Sequence, residues 1–337
     1  MPGPIVEFDS RVELRLFRTA SKLERRLYRN HCMKEWLKAN VHRFDVVDIQ
    51  GIWSFAAIHA ADSCRHAGIP YVVTPRGQMT RWDWSRGHGR KLTFYWMHLR
   101  RVLNGASAIR FLSEGEKGNS AVPVTSPAVV IPNWVNLTPR CDPHETRALR
   151  LRLAIPEGSR IILFLGRIAE QKGVSEIVEA FDYLSHRMIG CYLILAGPRD
   201  EPYWAKLKSI IAQLANRDNV RIIDPIYGYD KFVLLSLASI FVTMSKNEGL
   251  PVAVLEALAV GLPAVVTKEA NLPEISEFGA GVVVGHNTKS VGKALIEMLS
   301  DESGVRLMGE RSKRLVRERF TPKVVVPRLL ELYNGLC

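Results

Sequence analysis

The chain has few cysteines, no long apolar run and no internal repeat. Its five cysteines are scattered and form no C-x-x-C pair, which argues against a disulfide framework or a structural zinc site and fits a reducing compartment. The longest nearly apolar stretch, residues 232–244, is too short to span a bilayer and contains two serines and a threonine. No signal-peptide pattern is apparent. We therefore expect a cytoplasmic protein.

Composition and charge predict a globular protein of two parts, of which the first is basic. The apolar fraction of 47% and the charged fraction of 24% are ordinary for a folded protein, and 337 residues favour two domains. Residues 1–140 contain 21 Lys and Arg against 11 Asp and Glu, whereas residues 141–337 contain 25 against 23. This asymmetry indicates an anionic partner for the first part.

Two stretches of the first part carry much of this charge. Residues 11–38 place apolar residues at helical spacing among many Arg and Lys. This pattern predicts an amphipathic helix, which either packs on its own domain or lies on an anionic membrane at the inner face of the plasma membrane. Residues 76–101 mix basic and aromatic residues, a pattern that also suits nucleic acid. Because nothing in the chain resembles a named nucleic-acid-binding fold, we disfavour that partner.

Strand and helix patterns alternate along the whole chain. This alternation predicts parallel sheets whose strands are joined by crossover helices. A connector is predicted at 135–159, where three prolines lie. Strands are predicted at 45–49, 69–74, 108–112, 128–132, 160–165, 191–196, 220–223, 239–243, 263–267 and 281–284. Helices are predicted at 11–38, 53–67, 90–104, 288–300 and 304–319, with a last helix from Pro322 to about Tyr333.

A pair of glutamates, Glu248 and Glu256, lies eight residues apart around a predicted helix start. Pro251 suits the first turn of a helix because it has no N–H to leave unsatisfied. The free N–H groups of Gly249 and Leu250 would then form an anion site. At about 1.5 Å per residue, Glu256 would follow Glu248 by roughly 10–12 Å. That span fits a ligand with phosphates between two sugars, such as a nucleotide-sugar.

The surroundings of Glu256 distinguish it from an ordinary surface carboxylate. A lone Glu in a helix usually faces solvent, but Glu256 is flanked by apolar residues at 252–255 and 257–260. Such a run predicts a largely buried helix, in which a carboxylate needs a partner.

A second site follows the apolar run 161–165, which reads as a buried parallel strand. The next residues include Arg167 and Lys172, and residues 174–184 show helical spacing. Strand, loop and helix in this order place both cations at the carboxyl end of a strand, where open α/β sheets bind ligands. Each alone would be read as an exposed surface charge. Together with the acidic pair they predict a diphosphate site.

These segments, taken in order, resemble the family 4 retaining glycosyltransferases of the GT-B fold. The resemblance is closest over residues 160–285, and Glu248 to Glu256 matches the E-x7-E motif of that family. The other matching segments are Gly166-Arg167, Lys172-Gly173, Leu195-Ala196-Gly197-Pro198, Gly261-Leu262-Pro263 and Leu272-Pro273-Glu274-Ile275. The branch that builds bacterial surface polysaccharides is the most similar.

The resemblance implies two Rossmann-like domains facing across a cleft. We assign residues 1–134 to an acceptor-side domain, 135–320 to a nucleotide-sugar-binding domain and 321–337 to a helix crossing back to the first domain. Family members usually open with a strand and a glycine-rich loop, so the first domain is expected to be shortened. Pro75-Arg76-Gly77 stands where many relatives have a histidine, which makes Arg76 a candidate contact for donor or acceptor.

The resemblance also implies the roles of the site residues. Arg167, Lys172 and Glu248 are the predicted catalytic residues, and Gly249, Leu250, Glu256 and Arg76 are the predicted donor-binding residues. The two cations would stabilise the diphosphate leaving group, Glu248 would bind hydroxyls of the donor sugar and Glu256 those of the ribose. No metal and no cofactor is expected. The acceptor would be a saccharide or a lipid-linked saccharide in polysaccharide or lipopolysaccharide biosynthesis.

Two alternatives from other functional classes remain at this point. One is a catalytically silent relative that serves as the partner subunit of another transferase, which the shortened first domain favours. The other is a basic module that binds a membrane or nucleic acid, which the charge of the first part favours.

Overall fold

A computed structural model describes residues 12–17, 30–137 and 141–337, and shows two sheets of parallel strands with helices between them. All ten predicted strands form, four with the predicted bounds and six with ends shifted by one or two residues. This confirms the α/β architecture. The first sheet has the order β1-β2-β3-β4, and the second has the order β10-β9-β8-β5-β6-β7. The strands are β1 Val47–Gln50, β2 Tyr71–Thr74, β3 Ala108–Phe111, β4 Ala128–Val130, β5 Arg160–Leu165, β6 Cys191–Ala196, β7 Val220–Ile223, β8 Ile240–Thr243, β9 Ala264–Thr267 and β10 Gly281–Val284.

The chain crosses the first sheet in one direction, from β1 to β4. Right-handed crossovers therefore place its connecting helices on one face. Alternate residues Ile49, Val73 and Ile109 point to that face and join its apolar core. Asp48 and Arg110 point to the opposite face. The helical segments of this half are His31–Asn40, Val41–Arg43, Phe55–Ala67, Arg81–Ser85, His88–Phe94, Arg100–Asn104 and Glu114–Gly118.

The predicted helix 11–38 is confirmed only from His31 onwards and is wrong for the other residues of this range that the structure describes. Residues 12–17 have no regular secondary structure, and the helix begins only at His31. Asn30 adopts an extended backbone, and its side chain accepts a hydrogen bond of 2.9 Å from the backbone N–H of Met33. This is the behaviour of an N-cap residue, which starts a helix rather than continuing one. Residues 18–29 of the prediction lie outside the described residues.

The predicted helix 90–104 is interrupted by a π-helical turn, Tyr95–Leu99. A π turn adds one residue to the helical repeat. Tyr95 and Leu99 are consequently both buried against the core, whereas Trp96 and Met97 between them are exposed.

The second sheet is covered by helices on both faces, and the two apolar clusters of this half lie on either side of it. The predicted connector 135–159 is wrong in one respect, because Pro143–Arg152 is a helix. Pro143 occupies its first turn, and Asp142 caps it by accepting from the N–H of His144. The other helical segments are Glu170–Lys172, Val174–Ser185, Glu201–Ala212, Arg217–Asn219, Gly228–Leu237, Val252–Val260, Lys268–Ala270, Glu274–Glu277, Thr288–Ser300, Glu302–Arg319 and Pro322–Asn334.

The last helix, Pro322–Asn334, lies against the first sheet. Arg328 donates a 2.8 Å hydrogen bond to the carbonyl of Val130 in β4, and the Tyr333 hydroxyl donates to Asp48 in β1. These contacts cover the face of the sheet that carries Asp48. The predicted domain boundaries at 134 and 320 stay predictions. Within the described ranges, no helix is long and apolar enough to cross a membrane.

Candidate active site

Three predicted site residues, Arg167, Lys172 and Glu248, lie just after the carboxyl ends of neighbouring strands. The loop with Arg167 and Lys172 follows β5, and the loop with Glu248 follows β8, which pairs directly with β5. Carboxyl ends of adjacent parallel strands meet at one edge of the sheet. The sheet order therefore brings together two loops that are about eighty residues apart in the sequence.

Lys172 and Glu248 form a half-buried ion pair. The same carboxylate oxygen accepts a 2.7 Å hydrogen bond from the Ser245 hydroxyl, and Asn271 Nδ2 donates to the Glu248 carbonyl at 2.6 Å. Charge-assisted contacts on the side chain and a neutral hydrogen bond on the backbone therefore fix Glu248. Gly173 is required beside them, because a Cβ there would lie 2.0 Å from the Met244 carbonyl oxygen.

Glu256 has a cation of its own, Lys231, whose Nζ lies 2.6 Å from Oε1. Both side chains are about one-fifth exposed. The apolar neighbours of Glu256 predict that it needs a partner, but the sequence does not identify Lys231, which lies on the helix Gly228–Leu237. The two lysines thus hold the two glutamates of the motif separately.

The start of the helix that carries Glu256 differs from the prediction by one residue. Pro251 has an extended backbone (φ −78°, ψ 99°) and precedes the helix, which begins at Val252. Its carbonyl already accepts from the N–H of Val254 at 3.0 Å. Leu250 is buried in the apolar core of this half, and the Gly249 carbonyl accepts a 2.9 Å hydrogen bond from Ser113 of the first half.

Arg76 reaches the site from the first half in a left-handed backbone conformation, φ 56°. This is a costly conformation for a residue with a side chain. The next residue is held on both sides: the Gly77 N–H donates to Glu116, and the Gly77 carbonyl accepts from Asn247 Nδ2 at 3.1 Å. A Cβ on Gly249 would lie 2.9 Å from the Gly77 nitrogen. The two halves therefore touch at backbone distance here.

Glu116 is the buried anchor of this contact. It is fully buried and accepts from two backbone N–H groups, those of Gly77 and Leu112, the latter at 2.7 Å. Burial raises the pKa of the Glu116 carboxyl, although the two hydrogen bonds oppose that shift. The segment around it, Ser-Glu-Gly-Glu-Lys-Gly, is highly polar, so the sequence gives no sign that one of its glutamates is buried.

Arg167 is exposed. Its guanidinium donates to Gln171 at 3.3 Å, and Gln171 in turn donates to the Asn247 carbonyl at 3.1 Å. Arg167 lines a cavity of about 600 Å³ between the halves. Other lining residues come from the first half (Trp82, Arg86) and from the second half (Glu170, Tyr203, Lys206).

Comparisons with known proteins agree with this architecture. The family model described as "Glycosyl transferases group 1" matches residues 145–316, about half of the chain, and the "Glycosyl transferase 4-like domain" matches residues 10–134. The chain belongs to the group 1 glycosyl transferases. The GT-B assignment made from the motifs is confirmed.

Relatives of this glycosyl transferase include an N-acetyl-alpha-D-glucosaminyl L-malate synthase of Bacillus anthracis. It is 27% identical over 188 residues, which cover 55% of this chain but only 48% of the relative. A GDP-mannose-dependent alpha-(1-6)-phosphatidylinositol monomannoside mannosyltransferase of Mycobacterium tuberculosis is 24% identical over 304 residues, 86% of this chain and 76% of the relative. The chain thus spans about half to three-quarters of the length of these relatives.

Solved structures share the fold of the glycosyl transferase. Anabaena HepE in complex with UDP-glucose superposes with a TM-score of 0.79 at 16% identity, over 95% of this chain and 85% of HepE. WaaG, a glycosyltransferase involved in lipopolysaccharide biosynthesis, gives a TM-score of 0.72 at 15% identity over the same shares of the two chains. At these identities the likeness establishes the fold alone. The roles of the individual site residues stay predictions.

Proposed function

We propose that this chain is a retaining glycosyltransferase that moves a sugar from a nucleotide-sugar donor to a saccharide or lipid-linked saccharide. Polysaccharide or lipopolysaccharide synthesis is the proposed process. One observation carries the proposal: two half-buried Lys–Glu pairs, Lys172–Glu248 and Lys231–Glu256, follow strands of one sheet at the edge where such folds bind ligands. Each pair offers a carboxylate for sugar hydroxyls and a cation for phosphate.

In the proposed reaction, Lys172 and Arg167 neutralise the donor diphosphate. Negative charge on the diphosphate grows as the bond to the sugar breaks, so fixed cations stabilise the transition state more than the bound donor. Glu248 is held by Ser245 and Lys172, and it accepts from hydroxyls of the donor sugar. Glu256 accepts from the ribose hydroxyls. No protein nucleophile, cofactor or metal takes part in this scheme. The acceptor attacks the donor sugar on the same face from which the leaving group departs.

The names of relatives support a sugar-transfer reaction of this kind. The solved complex of HepE holds UDP-glucose, and WaaG acts in lipopolysaccharide biosynthesis. A further relative, AmsK of Erwinia amylovora, is described as an amylovoran biosynthesis glycosyltransferase. Because UDP-glucose and GDP-mannose both occur in the names of similar proteins, these names support the reaction class and leave the nucleotide and the acceptor to experiment.

The test is calorimetric titration of the purified chain with UDP-, GDP- and ADP-sugars. We expect one nucleotide class to bind and Glu256→Ala to abolish that binding. Asp62→Ala is the matched control, since Asp62 is a partly exposed carboxylate paired with Arg65 and Arg101 on the other side of the first half. Failure of a folded sample to bind any donor would favour the silent partner subunit instead.

Two further measurements address the finer parts of the proposal. The anomeric configuration of the product, followed by nuclear magnetic resonance during turnover, should match that of the donor; an inverted product would reject retention. Transfer activity should follow the membrane fraction if the acceptor is lipid-linked. Use of a free soluble sugar alone would reject that acceptor class. Attachment to the membrane through residues 11–38 is part of the proposal, although residues 11 and 18–29 of that segment lie outside the described residues.

A further inference from the structure

The helical segment from His88 to Asn104 presents an exposed apolar face that its own domain does not use. Tyr95, Leu99, Val102 and Leu103 turn inwards and are buried. The outward side carries three large apolar side chains: Leu92 is 40% exposed, Trp96 is 61% exposed and Met97 is 66% exposed. Large apolar residues grouped on one surface mark an interaction site more often than isolated ones do.

The charge around this face has one sign. The segment His88–Asn104 contains no acidic residue, whereas it contains four Arg and Lys. Arg100 stacks over the Trp96 ring, with its guanidinium carbon 5.1 Å from the centroid. Among the ion pairs of the described residues, neither Arg90 nor Arg100 takes part, so both charges are available to an anion.

The neighbouring helices add basic side chains on the same side of the first sheet, of which Lys38 is paired with Glu35. A cavity of about 590 Å³ lies between His31–Asn40, Phe55–Ala67 and the π turn. Its lining includes two lysines and three histidines: Lys34, Lys38, His59, His66 and His98. The acidic residue in the lining, Asp62, is paired with Arg65 and Arg101 and contributes little net negative charge.

We propose that the face formed by Leu92, Trp96, Met97 and Arg100 docks on the surface of an anionic lipid bilayer. Trp sits favourably at the boundary between headgroups and acyl chains, and apolar residues beside it enter the bilayer to a shallow depth. Arginines at the same level bind lipid phosphates and are attracted by the negative surface potential. The combination distinguishes a bilayer from nucleic acid, because phosphate backbones offer no place for Leu92 and Met97.

This face lies on a segment that begins close to the cleft between the halves, so docking would also set the position of the cleft relative to the bilayer. His88 follows closely after Arg86, which lines the cleft between the halves. When this face rests on the bilayer, the start of the segment His88–Asn104 stays near the cleft while its exposed side chains contact the lipid. Docking itself does not depend on the proposed sugar transfer and is measured without it.

The experiment is co-sedimentation of the full chain with vesicles made of equal parts phosphatidylcholine and phosphatidylglycerol. We expect binding that weakens as salt is raised, and weaker binding to pure phosphatidylcholine. The double variant Trp96→Ala, Met97→Ala should lower the partition coefficient by roughly tenfold or more. Arg100→Ala should lower it roughly fivefold. All three side chains are exposed, so circular dichroism melting should show the fold unchanged.

The matched control is Ile189→Ala, which removes an exposed apolar side chain from the second half and should leave vesicle binding unchanged. Equal vesicle binding by the wild type and the double variant would overturn the proposal and return membrane contact to residues 11–38. Binding to duplex DNA or RNA without binding to anionic vesicles would also overturn it.

Discussion

Glu116 gives the sharpest test of how the two halves are held together. Its carboxylate is fully buried and accepts from the N–H groups of Gly77 and Leu112. In Glu116→Gln an amide NH2 replaces one carboxylate oxygen, so one of these two backbone donors loses its acceptor. A buried donor left without a partner costs about 1–3 kcal/mol. Removal of the buried charge offsets part of this cost, because burial disfavours the ionised carboxyl.

We therefore expect Glu116→Gln to lower the free energy of unfolding by about 1–3 kcal/mol in urea denaturation followed by circular dichroism. Glu114→Gln is the control, since Glu114 lies on the same short helix but is exposed; it should change stability by less than about 0.5 kcal/mol. Equal stability of the two variants would refute the assignment of Glu116 as the anchor.

A double-mutant cycle extends the test to the contact between the halves. Glu116 holds the N–H of Gly77 and Asn247 holds its carbonyl. Substitutions at these two positions each remove a hydrogen bond to Gly77, so their effects on stability should depart from additivity by about 0.5–3 kcal/mol. Strict additivity would show that the two side chains do not act together on Gly77.

Other predictions concern the ion pairs and the thiols. Lys172→Ala should lower the transfer rate by roughly 10²-fold with little change in melting temperature, whereas Lys91→Ala, which breaks a pair of similar exposure with Asp83, should leave the rate nearly unchanged. Arg86→Ala breaks the ion pair with Glu170 that joins the two halves, but both partners are about half exposed. The free energy of unfolding should therefore fall by less than about 1 kcal/mol, and a larger loss would contradict the expected weakness of surface pairs. Burial raises the pKa of the Cys64 and Cys191 thiols to about 11 each, from 9.0. The unfolded thiols lose their protons first, so the free energy of unfolding should be unaffected below pH 9 and should fall between pH 9 and 11; pH titration of urea midpoints measures this, and a flat profile would contradict it.

The regular elements could be predicted because each one has a local signature. The strands of both sheets are short apolar runs, and their order along the chain is enough to predict parallel sheets. Where the prediction of an element was wrong, a single residue decided the outcome. Asn30 starts a helix that the apolar spacing alone would have continued, and Pro143 begins a helix in a segment whose prolines suggested a connector.

The site could be predicted only as far as its motif residues. Lys172 and Glu248 are identified by their loops, but Lys231 becomes visible only when its helix packs beside Glu256. Glu116 acts on backbone N–H groups of its own half, and Asn247 acts on the Gly77 carbonyl of the other half. Neither contact leaves a sequence pattern, because each joins residues that only the folded chain brings together.

The last helix has a consequence for the order in which the parts of the protein fold. Val130 and Asp48 are synthesised early, yet Arg328 and Tyr333, which contact them, leave the ribosome only after the whole second sheet. Domains generally fold in the order of synthesis, so one face of the first sheet stays uncovered while the second half is being translated. That face carries Asp48 and Arg110 beside Val72, and its charged residues are compatible with exposure to solvent until the last helix packs against it. Completion of the early half therefore waits until the second half has been made.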